Sequence, residues 1–347
     1  MDLARGLAVI GMLAAHLLDL EPFDWSRPST WADVAGGRSS ILFAVLAGVS
    51  IALVSGGARP VPPAARRLVR QRLAVRAVLL WLLGIGLVIT GVPVFVILPA
   101  YGILFLLTLP LLGMSARALG ALAVGLALVM PWVQPVLDGL ALWRGVPGVV
   151  VETAIGWHYP FPVWSAFIVA GLAIGRLDLR AARVQAALLV GGAGAAVVGY
   201  GAAAVVRVPA GDGFSAAVWS VQAHSGGLPE VVGSGGFAVA TLGVCLLLCR
   251  TPLTWVLLPL RAVGSMPLTA YTGQLVVWAV AAGVMLGDVG DLAGFRAAGA
   301  FWPMTIGTVV GCTAWALLLG RGPLERVFAL VVRLVVPAGP GEAGGVA

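Results

Sequence analysis

The chain has 347 residues, of which 60% are hydrophobic and only 10% are charged, and its mean hydropathy is +1.04. A soluble domain carries about 25% charged residues, so this composition excludes both a soluble globular protein and a disordered one. The net charge of +7 comes from 21 arginines against 14 acidic residues, and the arginines cluster between apolar segments, which indicates membrane topology rather than nucleic-acid binding.

Apolar segments of about 20 residues predict spanning helices, and we expect an all-α, polytopic membrane helix bundle with about ten of them. The first segment is predicted to be a retained helix rather than a cleaved signal peptide, and its abrupt start suggests a true start codon upstream of Met1. In chain order the predicted spans are residues 3–20, 38–57, 77–92, 94–114, a fifth ending near 136, 160–177, 184–206, an eighth ending at 250, 264–286 and a tenth ending at 319.

The segments between the spans differ in charge. Residues 58–76 contain six arginines and no acid, so we predict that they form a cytoplasmic loop. By the same rule, 16 of the 21 arginines lie in predicted cytoplasmic segments and ten of the 14 acids in predicted outer ones. Both termini are therefore predicted to be cytoplasmic. Residues 1–337 are predicted to form a single transmembrane domain, and residues 338–347 a disordered tail. The 48 glycines predict close helix packing.

The chain has three histidines, His16, His158 and His224, and all three are predicted near the outer membrane face. Histidine exchanges a proton near neutral pH, so the three together are a candidate site, although isolated surface histidines are also common. His16 is embedded in an apolar helix, where an ionisable side chain usually faces the bundle interior. Asp19 is predicted to share its helix face and to orient its imidazole. The structural alternative is that His16 has no catalytic role and that a neighbouring helix provides its hydrogen-bond partner.

Arginines mark two further candidate positions. Arg5 and His16 are about 16 Å apart along the first predicted helix, at 1.5 Å per residue, so Arg5 could bind a cytoplasmic anion or serve as a snorkelling anchor. Arg38 lies on the predicted outer side, and Asp33 is its expected partner at a helix start, as a structural pair or as part of a site. The three cysteines are predicted to be packing residues, and no metal site is predicted.

Several stretches resemble known membrane proteins. Residues 2–16, DLARGLAVIGMLAAH, resemble the first helix of the membrane acyltransferase-3 family, with its motif of arginine, ten residues and histidine. Residues 30–50, TWADVAGGRSSILFAVLAGVS, are similar to the second-helix region of heparan-α-glucosaminide N-acetyltransferase and its bacterial relatives. Residues 158–176, HYPFPVWSAFIVAGLAIGR, resemble a helix of the same bacterial group. MPLTAYTGQ (266–274) and GRGPLERV (320–327) resemble the C-terminal region of the domain of unknown function 418 family.

The resemblance implies transfer of an acetyl or similar acyl group from cytoplasmic acetyl-CoA, or another acyl-CoA, to an extracytoplasmic glycan or lipid. It implies that His16 is the base or briefly holds the acyl group, that Arg5 contacts the donor, and that Asp33 lies at the mouth of the site. Asp19 and Arg38 are also predicted in catalysis, with Arg38 or a backbone amide facing the oxyanion. The arginine cluster from Arg66 to Arg76, with Arg66, Arg67 and Arg70 foremost, is predicted at the donor phosphates. Trp157, His158 and His224 are predicted at the acceptor.

Two other function classes fit the same sequence. A transporter or flippase for a small polar or lipid-linked substrate would use the histidine and the outer acids to bind or relay cations, but such proteins more often carry broken helices in matching halves and ionisable groups in several spans. A scaffold without catalysis is the third class. The Arg-only, Ala-, Gly- and Val-rich composition suggests a bacterium, and we expect the cytoplasmic membrane, membrane lipids as neighbours and compatibility with a homodimer.

Overall fold

The structure is a computed structural model that describes residues 1–21, 23–24 and 26–337, so the predicted tail at 338–347 lies outside the described residues. Within them the elements are helices, without a β-strand. In chain order the α-helices are α1 (Asp2–Leu17), α2 (Arg38–Val54), α3 (Pro63–Ile89), α4 (Leu98–Thr108), α5 (Ala116–Asp138), α6 (Gly145–Ile155), α7 (Phe161–Gly175), α8 (Ala182–Val205), α9 (Gly213–Val218), α10 (Leu228–Leu248), α11 (Leu253–Val256), α12 (Leu258–Ser265), α13 (Pro267–Leu286), α14 (Leu292–Ala297), α15 (Phe301–Leu318) and α16 (Pro323–Val335). Three 3-10 helices accompany them, at Pro28–Ala35, Leu109–Gly113 and Ala141–Trp143.

Seven helices in the described part of the chain are long and apolar enough to cross a membrane: α2 with the 3-10 helix before it, α3, α5, α8, α10, α13 and α15. Three predicted spans correspond to shorter helices, which are α1, α4 and α7. Each of the ten predicted spans thus coincides with a helix. The prediction of a polytopic helical membrane protein is confirmed.

The short helices lie in the centre of the bundle. Eleven of the 15 residues of α7 and nine of the 16 residues of α1 are buried, whereas α5, α8 and α15 each bury only 17% of their most apolar stretch. The outer helices therefore present most of their surface to lipid. A central helix is surrounded by protein, where neighbours can satisfy its ends, so it need not supply about 20 apolar residues itself.

Glycines allow the central helices to pack closely, as the composition predicts. A Cβ at Gly48 of α2 would lie 2.0 Å from the carbonyl oxygen of Ile168, and a Cβ at Gly171 of α7 would lie 1.9 Å from that of Val45. Neither contact leaves room for a side chain, because both obstacles are backbone atoms. The α2–α7 pair is therefore a small-residue interface of the kind common in membrane proteins.

The predicted boundaries at the arginine-rich segment and at the end of the first helix are wrong. Residues 58–76 are not a loop throughout, because α3 begins at Pro63, where the fixed φ of proline suits a first helical turn. Most of the arginine cluster therefore lies on a helix. The first helix ends at Leu17 rather than at residue 20, because Leu18 adopts an extended conformation. Residues 18–20 thus lie beyond the helix end.

Candidate functional site

A cavity of about 430 Å³ lies at the end of the bundle where α1 and α13 begin, and we call it the arginine cavity. Polar side chains line it beside aliphatic and aromatic ones. The polar lining consists of Arg5, Ser50, Arg76, Tyr101, Ser265, Tyr271 and Glu325. Two guanidinium groups beside an apolar wall suit an anionic molecule that also carries an apolar part.

Arg5 is held in the wall of this cavity by two neighbours. Its Nη1 donates to Oδ1 of Asp2 at 2.9 Å, and its Nη2 donates to Oγ of Ser50 on α2 at 3.0 Å. Arg76 of α3 lines the same cavity, and it is close enough for its charge to interact with Arg5 and with Glu325. The predicted donor contact Arg5 is therefore accompanied by a second arginine, the last one in the arginine cluster that the sequence predicts at the donor phosphates.

Glu325 of α16 closes one side of the arginine cavity. Its Oε1 accepts hydrogen bonds from the backbone N–H groups of Leu268 and Thr269, at 2.8 and 3.1 Å. These N–H groups belong to the first turn of α13, where a carboxylate is also favoured by the helix dipole. Phe328, one turn further along α16, lines the cavity as well. The helix α16 is thereby fastened to α13, a contact between residues more than 50 positions apart that no local pattern indicates.

The other arginines predicted at the donor phosphates lie elsewhere. Arg70 donates from Nε to the carbonyl oxygen of Leu109 at 2.9 Å, and the guanidinium of Arg66 lies against Gly113. Both therefore pack at the C-terminal end of α4, where cations are favoured. Arg67 is exposed. None of the three lines the arginine cavity, and their role at the donor stays a prediction.

Three buried tyrosines separate the arginine cavity from the predicted histidine site. Tyr101 and Tyr271 line the cavity and are 2% and 4% exposed. Tyr159 is close enough to Tyr101 for the two to interact electrostatically, and its ring packs edge-on against His158 and His224, with centroids 5.1 and 5.2 Å away. The tyrosines therefore lie between the cavity and the histidines.

The structure brings the three histidines together, as the sequence predicts, and we call them the histidine layer. The rings of His158 and His224 are 5.1 Å apart between centroids, and His158 stacks on Phe95 at 3.6 Å. His16, at the end of α1, is close enough for its charge to interact with both. Burial, followed by the charges of His158 and His16, lowers the pKa of His224 to about 3. Burial also lowers the pKa of His158. The imidazoles of His158 and His224, which both lie in segments between helices, are therefore neutral near pH 7.

Asp19 does not orient the imidazole of His16, and this prediction is wrong. The helix ends before Asp19, whose side chain is 86% exposed and pairs with Nη1 of Arg296 at 3.1 Å. Arg296 also donates from Nε to the backbone carbonyl oxygen of His16 at 2.9 Å. It thereby holds a free carbonyl at the C-terminus of α1. Sequence reasoning missed Arg296 because its partners lie about 280 positions earlier.

The expected pair of Asp33 and Arg38 is present in a different form. Arg38 donates from Nη1 to the backbone carbonyl oxygen of Asp33 at 3.0 Å, and not to its carboxylate. Its Nε donates to the hydroxyl of Tyr200 at 2.8 Å, and that hydroxyl is 2.9 Å from Oγ of Ser234. The carboxylate close enough to interact with the charge of Arg38 is that of Glu230. Arg38 therefore joins α2 to α8 and α10.

Glu230 is a buried acid in the first turn of α10 that sequence reasoning missed. It is 3% exposed and accepts hydrogen bonds from the turn that carries His224. A signal existed in the sequence, because an ionisable residue at the start of an apolar span is costly unless it has partners.

Trp157 lies beside the histidine layer in an aromatic cluster. Its Nε1 donates to Oδ1 of Asp138 at 2.8 Å, and its ring stacks on Trp143 at 4.5 Å. A partly exposed indole next to a carboxylate suits a polar molecule with a flat apolar face. Across the described residues, no group of three or more His, Cys, Asp and Glu side chains is arranged to hold a metal ion.

The fold and the site define a class of protein: an integral membrane helix bundle with an anion-suited cavity at one end, a histidine layer beyond it, and one central helix, α1, that contributes to both. Residues 1–199 match the family described as "Heparan-alpha-glucosaminide N-acetyltransferase, catalytic", and residues 178–333 match "Protein of unknown function (DUF418)". The first match covers more than half of the chain, so the protein belongs to the heparan-alpha-glucosaminide N-acetyltransferase catalytic family, a family of membrane acetyltransferases. No curated protein and no solved structure matches the chain.

Proposed function

We propose that this protein is a membrane-bound acyltransferase that moves an acetyl or similar acyl group from acyl-CoA at the arginine cavity to a glycan or lipid acceptor at the histidine layer. The observation that carries the proposal is the placement of α1. Its first turn supplies Arg5 to the cavity and its last turn supplies His16 to the histidine layer. One rigid helix thus fixes the separation between an anion-binding group and a proton-transfer group.

The arginine cavity supplies the chemistry that an acyl-CoA needs. The donor is anionic at its nucleotide end, which suits Arg5 and Arg76, and its acyl-bearing arm is thin and largely uncharged, which suits the apolar wall. The positive-inside rule assigns the arginine-rich end to the cytoplasm, where acyl-CoA is made. The protein would then lie in the bacterial cytoplasmic membrane with both termini inside.

His16 supplies the chemistry of transfer. A hydroxyl or amine that attacks a thioester must lose a proton, and a neutral imidazole accepts one near pH 7. The same imidazole can instead take the acyl group itself and pass it on. Arg38 would stabilise the negative oxygen in either case, and Trp157, His158 and His224 would contact the acceptor.

A lipid acceptor would use a second cavity for its hydrocarbon chain. An apolar cavity of about 680 Å³ lies between α13 and α15, and its few polar side chains are Thr269, Gln274 and Thr308. A Cβ placed at Gly273, Gly307 or Gly311 would meet nothing within 4 Å, so the groove between the two helices is open. Its lining suits a hydrocarbon chain, whereas the cluster around Trp157 suits a sugar.

The proposal is tested with purified protein in lipid nanodiscs, radiolabelled acetyl-CoA, and methyl α-glucosaminide as the acceptor probe. We expect wild-type protein to consume acetyl-CoA and His16→Ala to lose at least 100-fold of that rate while binding CoA with unchanged affinity. Failure of the wild type to bind CoA at all would overturn the acyltransferase assignment. Full activity of His16→Ala would overturn only the role of His16.

A further inference from the structure

The turn that carries His224 has an unusual backbone. His224 has φ of +63°, and among the described residues it is the one non-glycine residue with a positive φ. This left-handed conformation brings Cβ close to the backbone, and a histidine persists there only when its surroundings impose it. Such residues concentrate at functional sites.

Glu230 imposes it. Its carboxylate accepts hydrogen bonds from the backbone N–H of His224 at 2.5 Å, from the backbone N–H of Gly226 at 2.7 Å and from Oγ of Ser225 at 3.1 Å. From the other side, Gly37 packs against Ala223 so closely that a Cβ there would lie 2.8 Å from the Cβ of Ala223. The turn is thus fixed from both sides.

The consequence is the position of the His224 ring. It lies against His158 and Tyr159, and it stacks on Trp164 with centroids 6.2 Å apart. Its buried Nδ1 has no hydrogen-bond partner within the described part of the chain. A buried imidazole nitrogen without a partner is an unsatisfied hydrogen-bond acceptor, so an O–H or N–H of a bound molecule can donate to it, and the neutral ring is the form that takes up a proton during transfer.

The proposed reaction needs a second base if His16 carries the acyl group. If the imidazole of His16 holds the acyl group, its attacking nitrogen is occupied and cannot accept the proton of the acceptor. The geometry points to His224 as the acceptor-side base and to Glu230 as its positioning residue, an inference that rests on the proposed function.

The transfer has two stages. His16 attacks the thioester carbon, the carbon–sulfur bond breaks, and the thiolate leaves with the imidazole proton as a free thiol. The acceptor O–H or N–H then gives its proton to Nδ1 of His224. Its oxygen or nitrogen bonds to the acyl carbon, and the bond between that carbon and His16 breaks. The proton held by His224 returns to the freed nitrogen of His16, directly or through water.

The substitution His224→Gly tests this without disturbing the turn, because glycine adopts a positive φ freely and keeps the backbone N–H that Glu230 binds. Gln222→Gly, at an exposed position of the same loop, is the matched control. Each protein is given radiolabelled acetyl-CoA, and label on the protein and label on methyl α-glucosaminide are measured over time. We expect His224→Gly to take up label at the wild-type rate and to release it at least 100-fold more slowly, and free imidazole to restore release.

Glu230→Gln provides the second measurement, since an amide cannot accept at both of its positions. We expect Glu230→Gln alone to release the label more slowly than wild type. The double variant with His224→Gly should release it no more slowly than His224→Gly alone, because the two residues act as one unit. Wild-type release by His224→Gly, no uptake of label by it, or no rescue by imidazole would overturn the second base while leaving the proposed function intact. If wild-type protein takes no acetyl group from CoA, both fall together.

Discussion

The guanidinium of Arg296 donates a 2.9 Å hydrogen bond to the backbone carbonyl oxygen of His16. Arg296 lies in the region that matches the family of unknown function, and His16 in the region that matches the acetyltransferase family. Arg296 in the second region therefore holds the C-terminal end of α1, and α1 carries His16 of the first region. The two matched regions therefore meet at the C-terminal end of α1.

Replacement of Arg296 by alanine removes this bond together with the ion pair to Asp19. We expect a loss of about 1–2 kcal/mol in stability, because a charge-assisted bond to a helix C-terminus disappears, and reduced acyl transfer because the end of α1 becomes free to move. Asp19→Asn is the matched control, since it removes only an exposed ion pair worth a few tenths of a kcal/mol. Thermal unfolding in detergent and the transfer assay measure both effects. Equal effects of the two substitutions would contradict this role of Arg296.

The α2–α7 interface gives a prediction about packing. Gly171→Ala would place a Cβ 1.9 Å from the carbonyl oxygen of Val45, and we expect it to cost about 1–3 kcal/mol. Gly86→Ala, at an exposed position of α3 where a Cβ meets nothing within 4 Å, is expected to be neutral or slightly stabilising. The melting temperatures of the two variants measure the difference. A stable Gly171→Ala protein would show that α2 and α7 are less closely packed.

The histidine layer predicts how stability depends on pH. Burial lowers the pKa of His224 to about 3, whereas an unfolded histidine titrates near 6.5. Between these values the unfolded chain binds more protons, so stability is fully present above pH 6.5 and falls as the pH is lowered towards 3. His158 acts in the same direction. We expect His224→Asn, which tolerates a positive φ, to flatten the decrease of melting temperature between pH 6.5 and 4.5; parallel curves would contradict the burial of a neutral His224.

The arginine cavity predicts which arginine binds the donor. Arg76→Ala should weaken CoA binding by about tenfold, since it removes one charged contact worth roughly 1.5 kcal/mol. Arg180→Ala, at an exposed position outside the cavity lining, should leave CoA affinity within twofold of wild type. Titration calorimetry with CoA measures both. If Arg67→Ala weakens binding and Arg76→Ala does not, the phosphates lie on the outer face of α3 and not in the cavity.

The sequence predicts the membrane class and the helices well, because both depend on local hydropathy. Even the central helix α7, which has only 15 residues, was found because it is apolar between loops. His16 stands out in the sequence for the same reason, since an ionisable residue is rare in an apolar segment. The helix boundaries were less predictable, because Leu18 ends α1 through a backbone conformation that no residue type there signals.

The partners of the site could not be predicted from one sequence. The spacing of Asp19 from His16 predicts that the two side chains interact. The helix α1 ends before Asp19, however, and the carboxylate of Asp19 accepts a hydrogen bond from Arg296 instead. Arg38 was expected to meet the side chain of the nearby Asp33, and instead it bonds Tyr200, which is 162 positions away. Glu230 is recognisable only in the folded bundle, where it lies against the turn that carries His224. These side-chain contacts depend on long-range packing and not on local sequence pattern.

The proposed reaction moves an acyl group across the membrane, from acyl-CoA at the arginine cavity to an acceptor at the histidine layer. Its most direct test uses protein reconstituted into sealed vesicles, with radiolabelled acetyl-CoA inside and methyl α-glucosaminide outside. Acetyl-CoA does not cross the bilayer, so molecules of either orientation can be present without confusing the result. We predict labelled glucosaminide outside the vesicles with wild-type protein and none with His16→Ala. Labelled product that forms only when donor and acceptor share one compartment would contradict the account.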